Sequence, residues 1–575
     1  MASKGRKLGG DRQTIGFLLD WIDGDYQMAV AEGVSVAARE RNANLVCFAG
    51  GMFGLQERHA SLRHHAFELA SPESVDALLV LAGSIGNKVG AESVARFCER
   101  FRPLPLVSIA AELAGAPTVV VDNESGMRDA IAHMIRVHDS RRIAFIRGPA
   151  TNEEAERRYG IYRDVLKENQ IELDPKLVLS GDFVPASGTA AIATLLDERK
   201  LPLGSLDAIL AANDNMALGA LHELERRGIR VPEQIALAGF DDLELVRYTN
   251  PTLTTVRQPF FEQGKHAVQL AIDLLNGIEV PLRTELKTEL VVRRSCRCFR
   301  RGDYAAIVRR DVGVRGFEAA LVMRRDVILA DMTRAAHAAL GVLGSSWESR
   351  LLNAFGAELG AAPGDPFLEA LDDATRRIVN RGGNARVLHD VLTALRRQVL
   401  SCLAPDSKER DRAEDIFHAA GLGLSEALER AQAHRRFAMQ HKVRTLGEAT
   451  SDLALCSSQA GLCEMLARHL PRLDVGLCFV AVYEDDTRAR ARIVFAHDAA
   501  RRLEIPAPTG SFATAELAPA GLFPDLSPYA VVVEPLFHDD TALGFMVLEF
   551  GNCDRAVFTT LPALVSAALW RARSS

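Results

Sequence analysis

The sequence lacks any excess of basic charge. Across 575 residues the formal net charge is −7, which removes a global electrostatic case for nucleic acid or an anionic membrane. It also lacks a long hydrophobic run. IGFLL and ALLVLAG are too short to span a bilayer, and the basic start MASKGRKLGGDRQ has no apolar segment behind it. Cysteine is sparse: nine residues, an odd number and scattered, do not make a disulfide framework. A reduced, cytoplasmic protein is expected, with no membrane partner. Cys296 and Cys298 form a CxC pair. With no second pair and no His at ligand spacing beside it, the pair reads as two unlinked thiols at a strand end, so no metal and no cofactor are expected. His59, His64 and His65 read as a solvated helix face. Catalytic signatures are missing as well: no GxSxG, HExxH or CxxC occurs, and GSIGNK (83–88) lacks the phosphate-loop spacing. That segment reads as the lip of a cleft, and no enzyme is expected.

What is present is ordinary in bulk and organised in detail. Hydrophobic residues make up 48% and charged residues 25%, as in globular proteins, and the length allows about three to five domains. The first 300 residues repeat themselves. IGFLLD (15–20) matches IAFIRG (143–148), and DALLVLAGS (76–84) matches DAILAANDN (207–215), at offsets of 128 and 131 residues. Near-equal offsets predict two related lobes. Near-continuous apolar strands alternating with helical patterns predict parallel sheets covered on both faces. In such sheets ligands sit beyond the carboxyl ends of the strands. Those ends carry Asp20 and Trp21, Gly83 and Ser84, Asn213 and Asp214, and Asp241 and Asp242. Carboxylates and amides facing each other across a cleft suit a polyhydroxylated ligand, with Trp21, Tyr26 and Phe260 as an aromatic wall. Helix capping is the alternative role for each strand-end Asp or Asn.

Residues from about 12 to 298 resemble the ligand-binding core of LacI/GalR-type regulators, a periplasmic-binding-protein-like type I fold. The resemblance rests on AANDNMALGALHELERRGIRVPEQIALAGFDDLELVRYTNPTLTTVRQP, VDNESGMRDAIAHMI and EAERRYGIYRDVL. It implies that Arg157, three residues before the Gly of ERRYGIY, grips ligand hydroxyls or a carboxylate. It further implies a polar contact from Asn213, a cleft carboxylate from Asp241, and a pocket floor from Gln258 and Phe260. Asp122 and Asn123 mark the first crossover between lobes, and the return lies at 251–259. A surface ion pair with Glu153 or Glu154 is the other reading of Arg157. About twelve residues precede the first strand, too few for the family's helix-turn-helix head. The tail, with Lys4, Arg6, Lys7 and Arg12, is expected to be disordered.

Beyond the sensor the pattern turns helical. FEAALVMRRDVILADMTRAAHAAL, WESRLLNAFGAEL, DPFLEALDDATRRIVN and NARVLHDVLTALRRQVLSCL carry three- and four-residue apolar spacing. AAPGDP (361–366) and NRGGN (380–384) read as loops. The last 120 residues hold strands at 476–485, 490–498, 530–540 and 542–551, with HDDT turning between the last two. Helix, antiparallel strands and helix resemble a GAF domain, though without a cyclic-nucleotide signature, and Cys478 reads as a buried thiol. The expected fold class is α/β: a two-lobed sensor, then an α-helical region, then a GAF-like α+β domain. The expected domains are a tail (1–11), the sensor (12–300), a helical bundle (301–407), a connecting helix (408–456) and the GAF-like domain (457–575). No kinase, cyclase or helix-turn-helix pattern follows.

Three readings compete. The first is a small-molecule sensor for a sugar-like effector, in a bacterial homodimer, acting through a downstream signalling protein or transcription factor. The second is a LacI-family regulator binding DNA through an unrecognised element, supported only by basic clusters such as MRRD and LRRQ. The third is an enzyme working in the cleft. The expected ligand-binding residues are Asp20, Trp21, Ser84, Arg157, Asn213, Asp241, Gln258 and Phe260.

Overall fold

The computed structural model describes residues 12–55, 60–298, 317–336, 346–360, 364–380, 385, 387–404, 407–500, 503–505, 510–524, 527–551 and 553–574. The basic tail, His59 and parts of the two expected loops lie outside them. Two units emerge: Met1–Phe299 with Arg444–Ser575, and Arg300–Val443. Among the described residues no helix is long and apolar enough to cross a membrane.

The first unit begins with β1 (Thr14–Leu19), β2 (Asn44–Ala49), β3 (Ala77–Val80), β4 (Leu106–Ile109) and β5 (Thr118–Val121). They pair in parallel in the order β5-β4-β3-β1-β2. Each reads as a Val, Leu, Ile or Phe run because helices cover both faces. The second lobe holds β6 (Ile143–Ile146), β7 (Val178–Leu179), β8 (Ala208–Ala211) and β9 (Ala236–Ala238), also parallel, in the order β7-β6-β8-β9. The lobes therefore share one winding, with β1 matching β6 and β3 matching β8, the pairs that the sequence offsets single out.

The chain crosses between lobes more than once. After β5, Asp122 ends the strand and caps the helix Asn123–His138, accepting from the amides of Glu124 and Ser125. The return passes through β10 (Thr255–Arg257), after which β11 (Arg283–Leu286) joins β5 and β12 (Glu289–Val291) pairs with β10. The helices Asp25–Glu40 and Phe260–Leu275 pack closely in the first lobe. A Cβ on Gly33 would stand 2.0 Å from the Phe261 carbonyl oxygen, and one on Gly264 2.3 Å from that of Val30. This close approach sets the start of the second helix against the middle of the first.

The C-terminal strands extend the first lobe. β13 (Leu477–Tyr483), β14 (Arg490–Asp498), β15 (Leu503–Ile505), β16 (Phe512–Ala513), β17 (Ala530–His538) and β18 (Thr541–Glu549) pair antiparallel among themselves. β17 then pairs in parallel with β2, Val531 opposite Val46 and Val533 opposite Phe48. One sheet so continues from β11 through β2 to β15. Its faces share their cores: Val46, Phe48 and Phe67 pack in one cluster with Phe479, Val531, Val533 and Phe545. Each fully buried Phe contributes about 1.5–3 kcal/mol of transfer free energy. Polar joints complete the contact. The Leu45 amide donates to the Tyr529 carbonyl at 2.8 Å, and the Ser71 hydroxyl to the Ala515 carbonyl at 2.8 Å.

The second unit is helical, with Phe317–Ala335, Trp347–Leu359, Pro366–Asn380 and Val387–Cys402. Their apolar stripes bury Met332, Trp347, Leu351, Phe355, Phe367 and Leu395 around one core. Phe355 stacks on Phe417 with centroids 4.8 Å apart. Phe417 belongs to a 47-residue helix, Lys408–Ala454.

Candidate ligand-binding site

The strand ends of the two lobes approach one another around Tyr26, and two carboxylate–carboxamide pairs lie at them. In the first lobe Asp20 follows β1 and is buried. Its carboxylate accepts from the Gln27 side chain at 2.9 and 3.1 Å and from the Ser84 hydroxyl. Burial pushes its pKa up, against the opposing pull of those hydrogen bonds. At the return crossover Asp241 accepts from the Gln258 side chain at 2.6 Å. Burial, and then the Asp214 charge, push Asp241 well above the usual carboxylate range. Each pair combines an acceptor with an amide that can both donate and accept, a combination suited to hydroxyl groups.

The backbone at Asp241 is strained. Asp241 and Asp242 have φ of 134° and 60°, a conformation that non-glycine residues rarely adopt. The surroundings hold it there: the Asp241 amide donates to the Val256 carbonyl at 2.7 Å. Asp242 turns away from the cleft and accepts from Arg293, from Arg257 at 2.8 Å and from Arg247 at 3.0 Å. Burial raises the Asp242 pKa, but the charges of Arg293 and Arg247 outweigh it and hold the group below its usual value. Asp214 is fully buried, accepts from the Thr255 hydroxyl at 2.6 Å and from the Leu243 amide at 3.0 Å, and is pushed by burial to about 7. The two aspartates of GFDD thus take different partners: Asp241 accepts from Gln258, and Asp242 ties the loop to three arginines.

Arg157 is not in the cleft. It is exposed, and it lines a surface hollow of about 550 Å³ with Asp122, Arg128, Asp164 and Arg283. The buried arginine is its neighbour Arg158. Arg158 donates to Asn123 Oδ1 at 2.7 Å, to the Ala212 carbonyl at 2.9 Å and to Glu154 at 3.4 Å, and lies 3.9 Å over the Phe240 ring. The reason is helix phase. In Glu153–Glu168 the buried residues are Ala155, Arg158, Ile161, Tyr162, Val165 and Leu166, and Arg157 falls outside that stripe. Counting back from Gly160 selects the wrong residue, whereas counting back four from Tyr162 selects Arg158.

The remaining expected residues are placed as follows. Tyr26 and Phe260 meet edge to face at 4.8 Å. Burial, and then the charges of Glu154, Asp20 and Asp241, raise the Tyr26 pKa well above its usual value, so carboxylates from both lobes stand near one phenol. Trp21 is half-buried under the Arg63 guanidinium, 4.8 Å from the ring centroid. Asn213 caps the helix Asp214–Arg226 through the Met216 amide and donates to the Phe183 carbonyl at 3.1 Å. Arg158, Gln27 and Glu154 join the cleft without having been expected there. Gln27 lies in the first turn of the helix Asp25–Glu40, and nothing in its local sequence marks it.

The lips of the cleft touch. Asn152 donates to the Gly83 carbonyl at 3.1 Å and to Asn87 at 3.2 Å, and the Thr151 hydroxyl to the Asn87 carbonyl at 2.6 Å. Lys88 pairs with Asp182 at 3.6 Å. GSIGNK thus ties the first lobe to the second through Gly83, Asn87 and Lys88. Among the described residues, no cluster of metal-ligating side chains occurs in the cleft.

Residues 132–296 match the family described as periplasmic binding protein-like domain. The chain is 34% identical over 203 residues to the HTH-type transcriptional repressor CytR of Escherichia coli (strain K12), covering 35% of this chain and 58% of that one. It is 38% identical over 178 residues to the HTH-type transcriptional regulator CelR of Thermobifida fusca, covering 31% and 51%. The matches span little more than half the length of these relatives. A solved structure of a transcriptional regulator CelR–cellobiose complex is similar at 29% identity and a TM-score of 0.43, over 50% of this chain and 86% of that one. The chain carries a periplasmic-binding-protein-like domain similar to that of LacI/GalR family repressors.

Proposed function

We propose that the protein is a non-enzymatic sensor of a small polyhydroxylated molecule, sugar-like in its hydroxyl pattern, that regulates transcription or signalling. The observation that carries the reading is the pair of buried carboxylate–carboxamide couples, Asp20–Gln27 and Asp241–Gln258, from the two sides of one cleft. Beside them stand the buried Arg158 and the Tyr26–Phe260 wall. Ligand exchanges its hydroxyl–water hydrogen bonds for these groups, and its apolar face covers the aromatic rings. Binding favours the closed arrangement of Asn152, Asn87 and Gly83 over an open one by the differential affinity for the two.

The output runs through the C-terminal strands, a GAF-like module in this reading. Because β17 is hydrogen-bonded to β2, that module moves as part of the first lobe. A change in lobe angle therefore turns it against the second lobe, where a dimer partner or a signalling protein reads it. The names of the relatives, transcriptional regulators all, support a regulatory role over a catalytic one.

The test is a thermal-shift screen of the full chain against sugars, nucleosides and small acids. A cleft ligand at 100 times its Kd stabilises the folded state by about 2.7 kcal/mol. The reading requires a hit that Asp241→Asn abolishes. Hits that survive both Asp241→Asn and Arg158→Ala place the ligand elsewhere and refute it.

A further inference from the structure

One cluster outside the cleft is built like a coordination sphere. His133 and His138 lie near the end of the helix Asn123–His138, and Cys296 and Cys298 lie where the chain leaves the second lobe. The sequence offers no His at ligand spacing beside CxC, and the fold corrects that reading by bringing both histidines to it across more than 150 residues of chain. His133 Nε2 stands 3.2 Å from His138 Nε2, 3.4 Å from Cys296 Sγ and 3.5 Å from Cys298 Sγ. Cys298 Sγ is 3.3 Å from His138 Nε2, and all four atoms lie within 4.8 Å of one another.

We propose that His133, His138, Cys296 and Cys298 bind one zinc ion in a tetrahedral Cys2His2 site. The first argument is geometric. Zinc binds imidazole nitrogen at about 2.0–2.1 Å and thiolate sulfur at about 2.3 Å. A tetrahedron with those radii has edges of about 3.4 Å between nitrogens and about 3.6 Å between nitrogen and sulfur. Four of the six edges match these values to within a few tenths of an ångström, and all six lie within 4.8 Å.

The second argument is valence. An imidazole Nε2 carries either one proton or one lone pair, so it makes one good hydrogen bond in its ring plane. His133 Nε2 has three polar neighbours in hydrogen-bond range, and they cannot all be satisfied at once. A cation at the centre removes the conflict, since each atom gives it one lone pair. The backbone favours this convergence: Arg297, between the cysteines, is left-handed at φ 76°. This reverses the chain so that Cys296 and Cys298 face the same imidazoles. Two thiolates with two imidazoles select zinc over calcium or magnesium, which take oxygen ligands.

The site would clip the departing chain to the second lobe just before the helical unit begins at Arg300. Metal binding there releases thiol protons and ties Cys296 and Cys298 to the helix Asn123–His138. The clip is independent of any ligand in the cleft.

The experiment is a cobalt(II) and zinc(II) titration of the full chain, stripped with chelator and kept in a non-thiol reductant. Cobalt is expected to give a thiolate-to-metal charge-transfer band and tetrahedral ligand-field bands that saturate at one equivalent and are displaced by zinc. Cys298→Ser and His138→Ala are expected to lose stoichiometric binding, and Cys553→Ser, outside the cluster, to retain it. Absence of a thiolate band in the reduced wild type overturns the proposal without recourse to any variant. So does a band that persists in the Cys296→Ser/Cys298→Ser double variant. A Cys296–Cys298 disulfide in protein that takes up no cobalt after reduction would replace the zinc site with a redox pair.

Discussion

The two lobes share a winding but treat their edges differently. In the second lobe the strand β7 is two residues long and ends the sheet. Arg199 covers it by donating to the carbonyls of Val178, at 3.0 Å, and Lys176. A short strand with a charged side chain over its carbonyls invites no further pairing. In the first lobe the equivalent strand β2 has six residues, all buried, and β17 occupies its outer side. One sheet was closed and the other was extended. The difference teaches that the C-terminal region is not a module hung on a linker, since it shares a hydrogen-bonded sheet and two apolar cores with one lobe of the sensor.

The largest effect that would break this contrast comes from the cores. Phe48→Ala and Phe145→Ala each remove a fully buried ring at a cost of about 3–5 kcal/mol. Only Phe48 belongs to the core shared with the C-terminal strands, while Phe145 sits in a core of second-lobe residues. With Trp570 kept as the sole tryptophan, in the helix Arg555–Ser574, Phe48→Ala should lower the urea midpoint read by Trp570. Phe145→Ala should leave it unmoved. Equal shifts would erase the distinction between the lobes.

Next in size is a pH effect at the joint itself. Glu534 on β17 is buried and pushed by burial to about 8, with Arg63 3.5 Å away pulling it down. A carboxyl with a raised folded pKa binds its proton more tightly folded than unfolded. Its stabilisation is therefore complete below the unfolded pKa near 4.5 and is lost as pH rises through about 8. Glu534→Gln should flatten that loss, on the order of 4 kcal/mol at pH 8, and raise stability there. Asp214, at about 7, adds loss in the same direction. Because Arg63 also covers Trp21, the same titration should perturb Trp21 fluorescence. An unchanged pH profile in Glu534→Gln would place that side chain in water.

Two smaller effects sharpen the picture. Arg158→Ala removes charge-assisted hydrogen bonds to Asn123 and Glu154 and should cost about 1.5–3 kcal/mol, together with all ligand stabilisation. Arg157→Ala should cost less than about 0.5 kcal/mol and leave binding intact, as judged by thermal shift. Arg199→Ala should be the mildest structural lesion, about 0.5–1.5 kcal/mol, but should promote self-association by uncovering β7, visible in sedimentation.

Much of this was legible in the sequence, for physical reasons. The repeats at β1/β6 and β3/β8 are apolar runs of strand length, and burial on both faces leaves no other composition open to them. The topology of parallel sheets sets the strand ends at which Asp20, Ser84 and Asp241 stand, and the structure joins Asp20 to Ser84 and Asp241 to Gln258. Arg158 needed helix phase, which Ile161, Tyr162 and Val165 supply, while a count from glycine gave its neighbour. The union of β2 with β17 has no local signal, because a buried strand looks the same whichever strand lies beside it. The His133–His138–Cys296–Cys298 cluster was invisible for a similar reason: its halves are brought together only by the fold.

The central claim is that the C-terminal strands are part of the first lobe's own body. Native-state hydrogen exchange on the full chain tests it most directly, by comparing β2 (Asn44–Ala49), β17 (Ala530–His538) and β7 (Val178–Leu179). The account predicts slow exchange in β2 and β17 at matching rates, opening as one unit, with β7 faster. Fast exchange along the outer side of β2, while β17 stays protected within its own antiparallel strands, would contradict it.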